Sequence, residues 1–417
     1  MASLARENRT FFNIEDDTWT TIALWVLLCF NGYTNTINKV VNLFLGKTTA
    51  VDTVILTIVF AVLILLGTFA ALKKMQKKEF ALMSVILILW FLNFMLNENA
   101  REVLKHYYFR SVFLEGFCGI ICIANYSSWN KFQKIGKVFV TIGIITFIIH
   151  IALIVLEQIE EQYMAFSYNN LVFVIAAYWL AIHRKSILMW VFGAVGTIGI
   201  IIVGCRGALL CIAVYVLLEF LLNKRIHTMM KVAFFLVVVI GFYNIEPIML
   251  KIDTTLSKYG YQSRTVEKYF EGTLEDDSGR GEHIDTAIEI IEEHPVFGCG
   301  MAGSAYHLYL KTFNMEPVSY QRVYSHNLII DIYLEFGLFF GTLIILYLVW
   351  QTIGAYVKNR NKDILYIVFM LFSLCIPKLM VSSVYLAEPT FFMLLGLLLN
   401  ANARKAEEQP QGNGGSV

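Results

Sequence analysis

Long, continuously apolar runs alternate with short polar joints along this chain. Twelve such runs lie near 19–37, 51–72, 80–97, 109–126, 138–156, 164–182, 187–203, 207–222, 230–247, 326–350, 364–381 and 388–401. A helix needs some 20 residues to cross the roughly 30 Å hydrocarbon core of a bilayer, and these runs approach that length. The every-second-residue alternation of a transmembrane β-barrel is absent from them. The pattern predicts an all-α, polytopic transmembrane bundle of about 12 spans. Cys205-Arg206-Gly207 is so short a joint that the seventh and eighth runs form a tight hairpin.

Only one joint is long. The pattern divides the chain into an N-terminal segment 1–18, spans one to nine over 19–246, a loop subdomain over 247–325, spans ten to twelve over 326–401 and a polar tail 402–417. The tail, ending AEEQPQGNGGSV, has nothing to bury and reads as disordered. Loops this long are usually functional.

Composition agrees with the pattern. The chain is 57% hydrophobic with a mean hydropathy of +0.62 and only 16% charged, where a soluble domain carries about a quarter. A net charge of +1 leaves no nucleic-acid footprint. The joints near 6–9, 73–78, 131–137, 184–185, 224–231, 358–362 and 404–405 hold 19 of the 33 Lys and Arg. The positive-inside rule makes that side cytoplasmic, with both termini inside and the long loop outside; the joint bearing Arg101, Lys105 and Arg110 is outvoted. The first residues lack the order of a cleaved signal peptide, so the first run reads as a retained anchor. Seven cysteines, mostly within runs, give no disulfide framework or paired zinc motif. Cys205 and Cys299 stand beside motifs on the same side and are candidates either for pairing or, as weighted here, for small buried hydrophobes.

Three places carry chemistry. At the hairpin, Gly204-Cys205-Arg206-Gly207 puts an arginine at a membrane boundary, where charge is either functional or snorkels to the interface. In the loop, Asp277 or Ser278 caps a predicted helix whose apolar stripe is Ile284, Ala287, Ile288 and Ile291, ended by His294-Pro295 before Phe297-Gly298-Cys299-Gly300. Arg280 sits in its first turn, where helix amides favour anions; the plain alternative is that it neutralises Asp276, Asp277 and Glu282. The loop itself is acidic, with seven Lys and Arg against twelve Asp and Glu. Third, Ser325-His326-Asn327-Leu328 opens the tenth run. There Asn327, Asp331 and Glu335 share one helical face and Gly337-x-x-x-Gly341 offers a packing notch. Two carboxylates descending into lipid require partners, so this face looks into the bundle or a wet cavity.

The order of these motifs resembles the O-antigen ligase and O-antigen polymerase superfamily over roughly residues 160–350, with Ser167-Tyr168-Asn169-Asn170 as a further feature. The chain departs from the pattern at Cys205, where a serine is common, and at Gly281-Glu282-His283, where an aromatic often follows the arginine. The resemblance implies an integral-membrane glycosyltransferase of the bacterial cytoplasmic membrane, acting on a polyprenyl-diphosphate-linked oligosaccharide on the extracytoplasmic face, with no metal and no cofactor. Its implied partners are that donor, the growing glycan acceptor, membrane lipid and a chain-length regulator. Arginines stabilise the charge growing on a diphosphate leaving group, and a weakly acidic sugar hydroxyl needs a base such as histidine. The expected roles are therefore Arg206 and Arg280 as diphosphate clamp, His326 as base in a single inverting displacement, Asn327, Asn169 and Asn170 on the substrate, and Asp331 and Glu335 orienting His326 or holding the arginines. Polymerisation of repeat units is the leading expectation. Ligation of the finished glycan to lipid A-core or another acceptor is the alternative, and a lipid-linked oligosaccharide flippase the second, disfavoured because the two halves of the chain are not repeats.

Overall fold

The computed structural model describes residues 10–11, 14–45, 50–156, 163–271, 280–314, 323–360 and 362–403. After a two-residue pairing of Thr10–Phe11 with Ile14–Glu15, the chain is helical. The helices are α1 (Asp16–Leu45), α2 (Ala50–Leu72), α3 (Lys77–Leu96), α4 (Glu98–Val103), α5 (Phe117–Ala124), α6 (Trp129–Val155), α7 (Tyr163–Arg184), α8 (Ile187–Val203) and α9 (Arg206–Leu222). They continue with α10 (Thr228–Tyr243), α11 (Ile245–Ser257), α12 (Arg264–Phe270), α13 (Arg280–Glu293), α14 (Gly303–Phe313), α15 (Leu328–Lys358), α16 (Asp363–Val381) and α17 (Pro389–Ala403). The fold is an all-α, multi-pass membrane bundle, and each of the twelve predicted runs falls on helix. Among the described residues six helices are long and apolar enough to cross a bilayer, or seven if the bent pair over 98–124 is one span; α8 and α17 are shorter apolar helices.

The run predicted at 109–126 is not one straight rod. Between α4 and α5 the backbone widens into π-helical turns at Leu104–Tyr108 and Arg110–Gly116, and the pair bends by 44°. The basic joint that opposed the predicted orientation lies here. Arg110 pairs with Glu115 at 2.6 Å and lies over the Phe30 ring, while Arg101 donates to the Phe94 carbonyl, so both are tied locally. At the other end, α17 runs to Ala403, so the first two residues of the expected tail are helical; residues 404–417 lie outside the described set.

One core fills the middle of the bundle, built on α1, α6, α7, α9 and α16 around Trp25, Phe132, Phe147, Phe173 and Trp179. Glycines supply the notches: a Cβ on Gly136 would meet Trp25 at 2.2 Å, and one on Gly143 would meet Phe173 at 2.2 Å. Large apolar side chains such as Phe80, Phe91, Phe235, Phe339 and Trp350 remain more than half exposed. Burying a side chain of this kind is worth about 1.5–3 kcal/mol, so such a surface belongs against lipid.

The loop is built onto the bundle through a break in α15. Gly337 has φ 71° and ψ 175°, a conformation essentially restricted to glycine, so the helix loses its ladder there. Backbone groups freed at membrane depth must find other partners. The turn 295–300 provides them: the Cys299 amide donates to the Leu334 carbonyl at 2.7 Å, the Gly300 amide to Glu335 at 2.9 Å, and the Leu338 amide to Pro295 at 2.7 Å. A Cβ at Gly298 would lie 2.6 Å from the Gly337 nitrogen, and one at Gly337 would lie 2.3 Å from the Val296 oxygen. Ala287, Ile290, Cys299, Leu308, Tyr309 and Val323 then pack on Leu334 as a small core. The predicted stripe on α13 is corrected by this packing: Ile290 is buried and Ile288 is exposed, because the face turned to α14 and α15 is the Ala287–Ile290 face.

Gly337→Ala is expected to cost at least the about 1–3 kcal/mol of a strained backbone, in addition to the clash with Val296. A melting midpoint in detergent equal to that of the unaltered chain would contradict this docking.

Candidate active site

The His326 turn is shaped by its neighbours. Ser325 Oγ donates to Asp331 Oδ1 at 2.7 Å, and the Ser325 amide donates to the same oxygen at 3.3 Å. Asn327 caps α15, its Oδ1 accepting from the Ile329 and Ile330 amides at 3.0 and 3.3 Å. Held from both sides, His326 takes a left-handed backbone conformation, φ 59°, that few non-glycine residues adopt. Strain of this kind collects where a side chain has to be presented in one direction.

The His326 ring lies 4.3 Å from the Tyr324 ring and 6.0 Å from that of His283, centroid to centroid. Its Nδ1 is buried with no hydrogen-bond partner among the described residues, as is Nδ1 of His283. Burial, the charge of Arg280 and the neighbouring His283 push its pKa down from 6.5 to about 4. At neutral pH the imidazole is therefore uncharged, with a nitrogen free to accept a proton.

Arg280 opens α13, and its charge acts on His326, on Tyr168 of α7 and on Cys205 at the cap of α9. The starts of α9, α13 and α15 and the second turn of α7 thus meet in one place. Arg206 is the first residue of α9. At Gly207 a Cβ would come within 1.9 Å of the Tyr168 hydroxyl, so only glycine allows that hydroxyl to lie over the first turn of α9. Helix N-termini and arginines all favour negative charge, so the place suits an anion.

A further cation stands at this end. Lys378 lies with Nζ 5.1 Å from the centre of the Tyr168 ring and forms an ion pair with Glu388, which also accepts from Ser383 Oγ at 2.6 Å. Tyr324 donates to the Ser382 carbonyl at 3.0 Å, tying the His326 turn to the end of α16. The sequence reading missed Lys378 by counting 364–381 only as a span. Its signal was a single charge directly after Pro377 in an otherwise uncharged run.

The carboxylates expected to orient His326 or hold the arginines have other partners. Asp331 braces Ser325, as above. Glu335 accepts from the Ala302 amide and Ser304 Oγ at 2.9 Å each and from the Tyr385 hydroxyl at 2.5 Å. Both stand behind the His326 turn and hold the loop. Asn327 spends its oxygen on the helix cap. Asn170 is fully buried, its amide donating to the Phe166 carbonyl of its own helix, while Asn169 is half-buried. Asp276, Asp277, Ser278 and Gly279 lie outside the described residues. All seven cysteines are free and buried, so Cys205 and Cys299 are not joined. A separate group of possible metal ligands, His294, Cys299 and His307, lies on the loop.

The sequence model of the O-antigen ligase family matches residues 145–346. That interval runs from within α6 to just past the break in α15. It includes Arg206, Arg280 and His326, and it stops before Lys378 and Glu388. No curated protein and no solved structure matches the chain.

Lys378→Met should strand the Glu388 carboxylate and lower the melting midpoint, by less than the about 3–5 kcal/mol of a fully buried pair because Lys378 keeps some exposure. Adding Glu388→Gln should recover most of the loss. Simple additivity of the two losses in that cycle would count against the pair.

Proposed function

From the match of residues 145–346 to the O-antigen ligase family, together with the motif resemblance to the O-antigen ligase and polymerase superfamily, whose enzymes act on lipid-linked glycans, we infer that this chain is a membrane glycosyltransferase of polysaccharide biosynthesis. It takes a polyprenyl-diphosphate-linked oligosaccharide as donor and joins repeat units into a surface polysaccharide. The observation that carries the reading is the pairing of an unpartnered, neutral His326 with the charge of Arg280. The excess of basic residues on the opposite joints supports a reaction on the extracytoplasmic side of the bacterial cytoplasmic membrane, with both described ends of the bundle facing the cytoplasm.

In this mechanism Arg206 and Arg280 hold the diphosphate, aided by the amides at the starts of α9 and α13. The acceptor hydroxyl gives its proton to His326 as its oxygen attacks the anomeric carbon, and the bond from that carbon to the diphosphate oxygen breaks with inversion. The electron pair leaves with the polyprenyl diphosphate, whose growing charge the arginines stabilise. Donor binding also prepares the base. A diphosphate beside Arg280 offsets the positive field that depresses His326, so the imidazole becomes more basic once the donor is seated.

A second reading, ligation of a finished glycan to another acceptor, is favoured by the description of the matching family. Product size separates the two. Reconstituted protein given a defined polyprenyl-diphosphate oligosaccharide should produce a ladder of lengthening lipid-linked glycans, whereas transfer to a terminal acceptor without lengthening would identify a ligase. His326→Ala, inserted at normal levels, should lose about 10²–10⁴-fold of the rate, the usual worth of a general base. Near-normal rates from it, or from Arg280→Ala, would overturn the assigned roles.

The pH profile is a separate check. The rate needs neutral His326, so kcat/KM, which reports the free enzyme, should fall only as pH drops through about 4. The acid limb of kcat should stand at higher pH, because the bound diphosphate raises the same group. Coincident limbs near 6.5 would refute the influence of Arg280.

A further inference from the structure

Away from His326, the turn that docks on α15 carries a second cluster of reactive side chains. His294 directly follows α13, Cys299 lies within the turn, and His307 sits on α14. One nitrogen from each imidazole and the Cys299 Sγ all lie within 4.8 Å of one another. A tetrahedral ion with bonds of 2.0–2.3 Å holds its ligands about 3.3–3.8 Å apart, so a side-chain adjustment of about 1 Å closes the set. No hydrogen bond within the described residues engages any of these three side chains.

Each donor is carried on a fixed piece of backbone. Cys299 is held through its amide by Leu334 and through its carbonyl by Asn97 Nδ2 at 2.7 Å. The His294 amide continues the ladder of α13 to Ile290, and α13 and α14 share the core of Ala287, Ile290 and Leu308. Preorganised donors of this kind lower the cost of gathering ligands. Two imidazoles and a thiolate are borderline and soft donors, which suit Zn²⁺ and exclude the oxygen-seeking Mg²⁺ and Ca²⁺. Glu293 is adjacent, its Oε1 held by Lys311 at 2.8 Å.

We propose that His294, Cys299 and His307 form a structural Zn²⁺ site that clips the 295–300 turn to α13 and α14. Binding forms one Zn–S and two Zn–N bonds and releases the Cys299 thiol proton to solvent; water or Glu293 completes four-coordination. The ion takes no part in glycosyl transfer. It fixes the turn whose amides complete the broken α15, and it binds whether or not the glycosyltransferase reading holds.

The full chain, purified in detergent and stripped of metal, is titrated with Zn²⁺ and with Co²⁺. The expected result is one tightly held ion per chain, a rise in melting midpoint with Zn²⁺, and for Co²⁺ a thiolate-to-metal absorption in the near ultraviolet with the strong visible bands of tetrahedral geometry. Cys299→Ser should abolish the thiolate absorption, and His294→Ala and His307→Ala should each weaken Zn²⁺ binding at least tenfold. His227→Ala, exposed on the joint between α9 and α10, should leave it unchanged. Because a misfolded variant would also lose metal, the unaltered chain is measured first. Absence of a cobalt–thiolate absorption at saturating Co²⁺ overturns the site, as does unchanged Zn²⁺ content in Cys299→Ser eluting as the native species.

Discussion

Everything at the loop-bearing end depends on the need to satisfy the backbone of a helix broken within its span. At Gly337 the ladder of α15 stops, and three hydrogen bonds to the 295–300 turn replace it. Those bonds set the distance between loop and bundle. Glu335, one turn from Asp331, is thereby brought to Ala302, Ser304 and Tyr385, while Asp331 locks Ser325. The left-handed backbone of His326 is the far end of that chain of contacts. The carboxylates thus act on the histidine at one remove, through the backbone they brace.

The arrangement also explains why so little charge is needed. A half-buried histidine beside Tyr324 and His283 is partly shielded from water, and burial together with the nearby guanidinium keeps it neutral. The convergence of helix starts around Arg206 and Arg280 adds partial positive charge without further side chains.

Much of the fold was legible in the sequence because lipid imposes a simple rule, a long apolar run for each helix. The site was legible in part. Arg206 and His326 stood out as ionisable groups at run ends, where charge calls for a reason, and Arg280 as a first-turn residue of the predicted loop helix. The break at Gly337 was not, since Gly337-x-x-x-Gly341 has the appearance of a packing notch and nothing local says which carbonyls the distant Pro295–Gly300 turn will meet. The same holds for the partners of Glu335, which come from α14 and from the segment before α17. Lys378 was hidden by averaging over an apolar window. Ile288 and Ile290 exchanged places because helical spacing alone does not say which flank of a stripe a second helix will cover. The π-turns near 104–116 leave no compositional trace at all.

The docking of the turn on α15 has a consequence for how such chains can change over time. Pro295, Cys299 and Gly300 are each matched to one residue among Leu334, Glu335 and Leu338. Ala302 and Ser304 are likewise matched to the Glu335 carboxylate. A residue inserted inside Pro295–Gly300 or Leu334–Leu338 would shift every partner by a position and leave amides unpaired inside the membrane. The two short motifs, some forty residues apart, are therefore bound to keep their internal spacing as a pair.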